Sequence, residues 1–210
     1  FRFVVLAFAA AFAAQIATRL RLFLRASNNI RVPDGESGAR IWRVVREVIF
    51  QSRTIAERPL VGLAHLGVFW GFCAFALYTA VEFLDGLGVA DLTTAPWFAT
   101  YALLLVPCAL AVLAGITGLI IRRVFVRPPA LGEYVSKESV LIGFFIITLM
   151  VTFLLDFGLT EGVAARINWW VHALVILSFM AVIPGSKHFH LLVSPVTVYL
   201  RSSTLAMVPN

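Results

Sequence analysis

The sequence predicts an all-α integral membrane protein, a five-transmembrane-helix bundle with its N-terminus out and its C-terminus in. Three observations carry this. Of 210 residues, 60% are hydrophobic and 13% charged, about half the charged share of roughly 25% found in soluble domains. Five apolar runs are each long enough to cross about 30 Å of hydrocarbon at about 1.5 Å per residue. The basic residues gather in alternate loops, as the positive-inside rule requires.

The runs are 3–24, 60–84, 97–121, 139–157 and 167–192. Pro96 and Trp97 open the third, one as a helix-start proline and the other as an interfacial anchor. The last is interrupted by Pro184-Gly185. Segment 25–58 carries Arg25, Arg31, Arg40, Arg43, Arg46, Arg53 and Arg58, and the loop after the third run adds Arg122, Arg123, Arg127 and Lys137. Loop 85–96 has neither Lys nor Arg, and loop 158–166 has only Arg166. The first two loops are therefore expected on the cytoplasmic side. The chain begins at Phe1, inside an apolar run, and reads as a piece of a longer protein. Residues 1–201 form the membrane domain, and 202–210 start a cytoplasmic tail or linker.

The formal charge of +6 would by itself admit nucleic acid as a partner, but bases confined to loops between apolar runs read as membrane topology instead. Cys73 and Cys108 lie mid-run and read as small buried hydrophobes. With no CxxC, this chain cannot hold an iron–sulfur cluster on cysteine ligands. In segment 40–58, Ile41, Val44, Val45, Val48 and Ile55 recur at helical spacing among Arg40, Arg43, Arg46 and Glu47, which predicts a short amphipathic helix on the cytoplasmic face. It anchors in anionic headgroups or docks a soluble partner. Asn28 to Gly38 reads as a flexible turn region.

The four histidines, His65, His172, His188 and His190, all fall within or near the apolar runs, where a polar ring is costly and marks a functional site. His65 sits early in the second run. His172 and His190 are eighteen residues apart, five turns of a continuous helix, so both face one side of the fifth; His188 points about 160° away from His172. His65 and His190 come to similar depth on neighbouring helices, the arrangement that holds a porphyrin iron between two imidazoles. A lone histidine at a membrane interface is commonly just a hydrogen-bonding anchor; a level-matched set of them favours heme. Zinc is disfavoured, because no cysteine cluster lies near and Glu57 is the one carboxylate close by. Gly67 and Gly71 form a GxxxG, which either leaves room for a macrocycle or packs helices together.

These residues carry a resemblance. His65-Leu-Gly-Val-Phe-Trp-Gly-Phe, Trp169-Trp170-Val171-His172 and Ile183-Pro-Gly-Ser-Lys-His188-Phe-His190-Leu-Leu-Val-Ser-Pro195 resemble the gamma subunit of respiratory nitrate reductase, a five-helix cytochrome b. Closer still is the membrane domain fused to heterodisulfide-reductase-like iron–sulfur oxidoreductases, which include electron-transfer-flavoprotein:quinone reductases. The resemblance implies hemes b held by second-helix and fifth-helix histidines. His65 and His190 match the inner pair. His172 matches the fifth-helix ligand of an outer heme, whose second-helix partner would fall near Phe75, where there is no histidine. His188 replaces His190 if Pro184-Gly185 shifts the helix phase, and His172 alternatively bonds a quinone or its proton path.

The expected function is electron transfer between a cytoplasmic iron–sulfur oxidoreductase domain or subunit, with electron-transfer flavoprotein as a candidate donor, and membrane menaquinone or ubiquinone, in a bacterial or archaeal cytoplasmic membrane. This chain would supply the electron-transfer and quinone-reactive part of an oxidoreductase. Glu82, Asp85, Asp156 and Glu161 are expected at outer helix ends, as proton-relay groups or plain interfacial charges. Lys187 would screen a heme propionate or snorkel to headgroups. The alternative is a heme-free membrane anchor recruiting a soluble enzyme through its basic face. A transporter would more naturally carry internal repeats, and none is evident.

Overall fold

A computed structural model of the chain describes residues 2–27, 37–129 and 135–201. The tail 202–210 lies outside these residues, as does the expected turn region, apart from Ser37 and Gly38. Among the described residues the chain is helical, without strands.

Five helices are long and apolar enough to cross a membrane. They are α1 (Arg2–Ser27), α4 (Pro59–Leu87), α5 (Pro96–Ile121), α6 (Lys137–Asp156) and α7 (Gly162–Val182). Between α1 and α4 lie α2 (Ser37–Val44), a π turn Val45–Ile49 and α3 (Ser52–Glu57); a last helix, α8 (His190–Leu200), follows α7. Pro59 and Pro96 sit in the first turns of α4 and α5, where the missing N–H costs nothing.

Sequential helices pack as neighbours, α4 on α5, α5 on α6 and α6 on α7, with α1 against α7. These helices are apolar on every face, and their neighbours meet through close backbone approach. At Gly71 a Cβ would collide with Val112, and at Gly115 it would stand 3.0 Å from the Ala64 carbonyl. The small shared core is Leu105, Ala109, Val112, Leu149, Met150 and Phe153. The outward faces keep large apolar side chains exposed, among them Leu103, Leu104, Phe144 and Leu174, as a lipid-facing surface does.

Three expectations need correction. The fifth helix is not continuous to 192: it ends at Val182, passes through a 3-10 turn Ile183–Gly185 and extended Ser186, and α8 begins at His190. Pro184 lacks an N–H, and its ring clashes with the carbonyl one turn back. The amphipathic helix of 40–58 is two helices and a π turn, broken at Phe50-Gln51, where Gln51 is left-handed (φ 47°). Its polarity also differs, since Arg40 is buried while Ile41 and Trp42 are exposed. Arg40 donates to the Tyr199 carbonyl (3.0 Å) and Arg43 to the Arg201 carbonyl (2.7 Å), satisfying acceptors that a helix end leaves open. The cysteines are not core residues either. Cys73 is exposed and Cys108 half-buried, because the outer faces of these helices are as apolar as the inner ones.

Candidate functional site

Charge is unequal between the ends of the bundle, although Glu47, Glu57 and Glu138 stand among the basic residues and Arg2 and Arg166 near the acidic ones. One end carries Arg40, Arg43, Arg53, Arg58, Arg122, Arg123 and Lys187 with the start of α4; the other carries Glu82, Asp85 and Asp156. Along α4, His65 and Glu82 are about 25 Å apart at about 1.5 Å per residue.

At the basic end the structure brings three of the four histidines around one cavity of about 390 Å³, lined by His65, His188 and His190 together with Gln51, Phe69 and Phe179. The His65 and His190 rings stand 6.2 Å apart between centroids, with planes 38° apart. Two imidazoles on one iron, each nitrogen about 2 Å from the metal, place their centroids roughly 6 Å apart. The His188 ring is as near, 6.0 Å from that of His190 with planes 50° apart.

The hydrogen bonds set the tautomers. His190 Nδ1 is 2.8 Å from the Lys187 carbonyl, which only accepts, so Nδ1 is the protonated nitrogen. His65 Nδ1 is 2.8 Å from Gln51 Oε1, again an acceptor. Each ring therefore keeps its Nε2 lone pair for a metal, with the opposite nitrogen held by an outer partner as in ligating histidines. Among the described residues the His188 Nδ1 is buried without a hydrogen-bond partner. Burial, and next the neighbouring His190, hold its imidazolium below the ordinary range.

Among the described residues no cluster of three or more His, Cys, Asp or Glu could hold a metal. A porphyrin supplies four nitrogens itself and needs two from the protein. Neither Gly67 nor Gly71 lines this cavity: Gly71 packs on α5, and a Cβ at Gly67 would meet nothing within 4 Å. Lys187 turns elsewhere, its ammonium donating to Ser136 (3.1 Å) and its backbone N–H to Glu138 (2.6 Å).

His172 sits toward the acidic end. The Thr152 hydroxyl donates to the Thr148 carbonyl (2.7 Å), so its oxygen accepts from His172 Nδ1 at 2.7 Å; Asn168 donates to the Thr152 carbonyl (2.9 Å). His172 lines two cavities. One, of about 260 Å³, also holds Tyr78, Glu82, Asp85 and Asp156. The other, of about 410 Å³, is almost wholly apolar and shares Val68, Phe72, Ile146, Phe179 and Ile183 with the histidine cavity. Phe75, where an outer ligand would have stood, packs edge-on against Phe153 (4.8 Å).

Sequence reasoning missed Gln51, Thr152 and Asn168. Thr152 and Asn168 had a usable signal, a polar residue within or beside an apolar run; Gln51 had none, since it reaches His65 only through a left-handed bend.

The segment holding Gln51 is also tied to α8. Arg201 donates to Glu47 at 2.6 Å. That hydrogen bond, against the opposing effect of burial, holds the Glu47 carboxyl below its ordinary 4.5. A depressed folded-state pKa contributes stability that is present above the unfolded value and lost as pH falls through the folded one. The advantage in thermal midpoint of wild type over Glu47→Gln is accordingly expected at pH 7 and should shrink below about pH 4.5. Melting curves across that range check it; a pH-independent difference would mean the charge contributes nothing.

Compared with known proteins, a 35-residue stretch, 17% of the chain, is 46% identical to the probable iron-sulfur-binding oxidoreductase FadF of Bacillus subtilis, and it spans 5% of that protein. No family model and no solved structure matches the chain.

Proposed function

We propose that this chain is a heme b membrane domain that passes electrons between a cytoplasmic iron–sulfur oxidoreductase module and the membrane quinone pool. The observation that carries the reading is the His65–His190 pair, two imidazoles with centroids 6.2 Å apart and both Nδ1 atoms bonded to acceptors. The short similarity to an iron-sulfur-binding oxidoreductase supports a partner of that chemistry. Heme, when bound, would supply one-electron transfer.

The chain's own residues do the rest. His65 and His190 would hold the iron, while Gln51 and the Lys187 carbonyl fix the imidazoles. The basic end faces the cytoplasm, in keeping with the distribution of arginines, and presents α2 and α3 to the iron–sulfur partner. One heme is the reading the histidines favour, because His65, His188 and His190 all line the cavity at the basic end and leave His172 without an opposing imidazole. His172 and the adjoining apolar chamber suit a quinone, with Glu82 and Asp156 beside it for proton exchange.

The test is a dithionite-reduced minus oxidised spectrum of the detergent-purified chain, with a pyridine hemochrome assay for heme per chain. Sharp b-type bands at about one heme per chain are expected. A colourless preparation from heme-replete cells would overturn the reading and leave a heme-free anchor that recruits its partner through the basic end.

A further inference from the structure

Gln51 is 5% exposed and sits at the break between the π turn and α3, with φ 47° and ψ 32°. Glycine and asparagine are the residues that tolerate this region, and a longer side chain there is disfavoured. The position is also the N-cap of α3: the Gln51 carbonyl accepts from Ile55 N–H at 3.0 Å. A capping side chain ordinarily turns back onto the first N–H groups of its own helix. That of Gln51 makes no such bond and instead accepts from His65 Nδ1 fourteen residues away. Glycine would suit the backbone and has no amide; asparagine would suit it and is one carbon shorter.

The two imidazoles are held unequally. His190 donates to a main-chain carbonyl, which no side-chain replacement removes. His65 donates to a side chain, so its outer partner is the one that sequence can tune. The same turn is fastened to its surroundings on both sides: Trp70 of α4 donates to the Ile49 carbonyl (3.2 Å), and Glu47 accepts from Arg201.

We propose that Gln51 is a positioning residue, holding His65 in the Nδ1-protonated tautomer and setting how strongly its Nε2 donates to heme iron. This rests on the heme reading above. A stronger acceptor on Nδ1 makes the opposite nitrogen more basic and favours ferric iron; losing the acceptor does the reverse.

The experiment compares wild type, Gln51→Glu and Gln51→Leu in the full chain, reading heme per chain, midpoint potential and the low-spin electron paramagnetic resonance of the oxidised form. The midpoint potential is expected to fall in Gln51→Glu and rise in Gln51→Leu, with the resonance shifting between them. Equal potentials in heme-loaded variants would overturn the proposal. Should Gln51→Leu fail to fold, the near-isosteric Gln51→Glu still decides the direction. If wild type carries no heme, the electron-transfer reading fails separately. Nitrogen-15 spectra of labelled histidine then read the tautomer directly: His65 is expected Nδ1-protonated in wild type and mixed in Gln51→Leu. An unchanged tautomer would overturn the positioning role.

Discussion

Alanine at either His65 or His190 is expected to abolish the b-type bands and reduce heme affinity by more than about 100-fold. Disturbing a ligand's outer partner alone typically costs 10- to 100-fold, and removing the ligand costs more. The two variants should behave alike, because each removes one of the two imidazoles that would hold the iron. His188→Ala should retain a full complement of heme, since among the described residues its Nδ1 lacks the outer acceptor that holds the His65 and His190 rings. Heme per chain by hemochrome assay separates the cases. If His188→Ala loses heme and His190→Ala keeps it, the ligand assignment moves by two residues, to His188. His172→Ala adds a control on stoichiometry, with no heme lost under the one-heme reading and half lost if a second heme sits there.

The second large effect belongs to a residue with no chemistry. A Cβ on Gly62 would lie 2.5 Å from Ile55 Cα and 2.7 Å from Ile55 N. These are backbone atoms of α3, which cannot swing aside as a side-chain end can. Overpacking against movable side chains already costs about 1–3 kcal/mol, and Gly62→Leu should fall at or beyond the top of that range. Gly62 stands three residues before His65 on α4, so pushing α3 away also withdraws Gln51 from the ring. The expected result is a lower melting midpoint in detergent together with reduced heme per chain. Gly67→Ala is the matched control, because a Cβ there meets nothing within 4 Å and alanine favours helix. A Gly62→Leu chain that melts like wild type would refute the close α3–α4 contact.

How far the sequence alone reaches can be judged from particular elements. The first four spans begin and end within a few residues of their expected positions, since the apolar runs that lipid demands are dense and unambiguous. The fifth begins at Gly162 and not 167, because Arg166 follows its first turn and a window of hydrophobicity stops at a charge that helix geometry does not. It ends ten residues early for a different reason, the proline and glycine at 184 and 185. The pairing of His65 with His190 was legible as a match in depth, but the route to it was not. The expectation put His172 and His190 on one face of one helix, whereas His190 opens a separate helix after a turn in which Ser186 accepts from the His188 N–H.

The sequence by itself determined the class of the protein. Hydrocarbon leaves no partner for an unpaired backbone group, so long apolar runs can only be helices, and polar rings within them must serve something. The tertiary structure decided which rings meet and what holds them. Those contacts depend on a left-handed bend at Gln51, a break after Val182 and a close backbone approach at Gly62, each of which brings together residues far apart in the chain. Hydrophobic periodicity reports which solvent a face meets, and carries no information about where a helix breaks and turns to reach its neighbour.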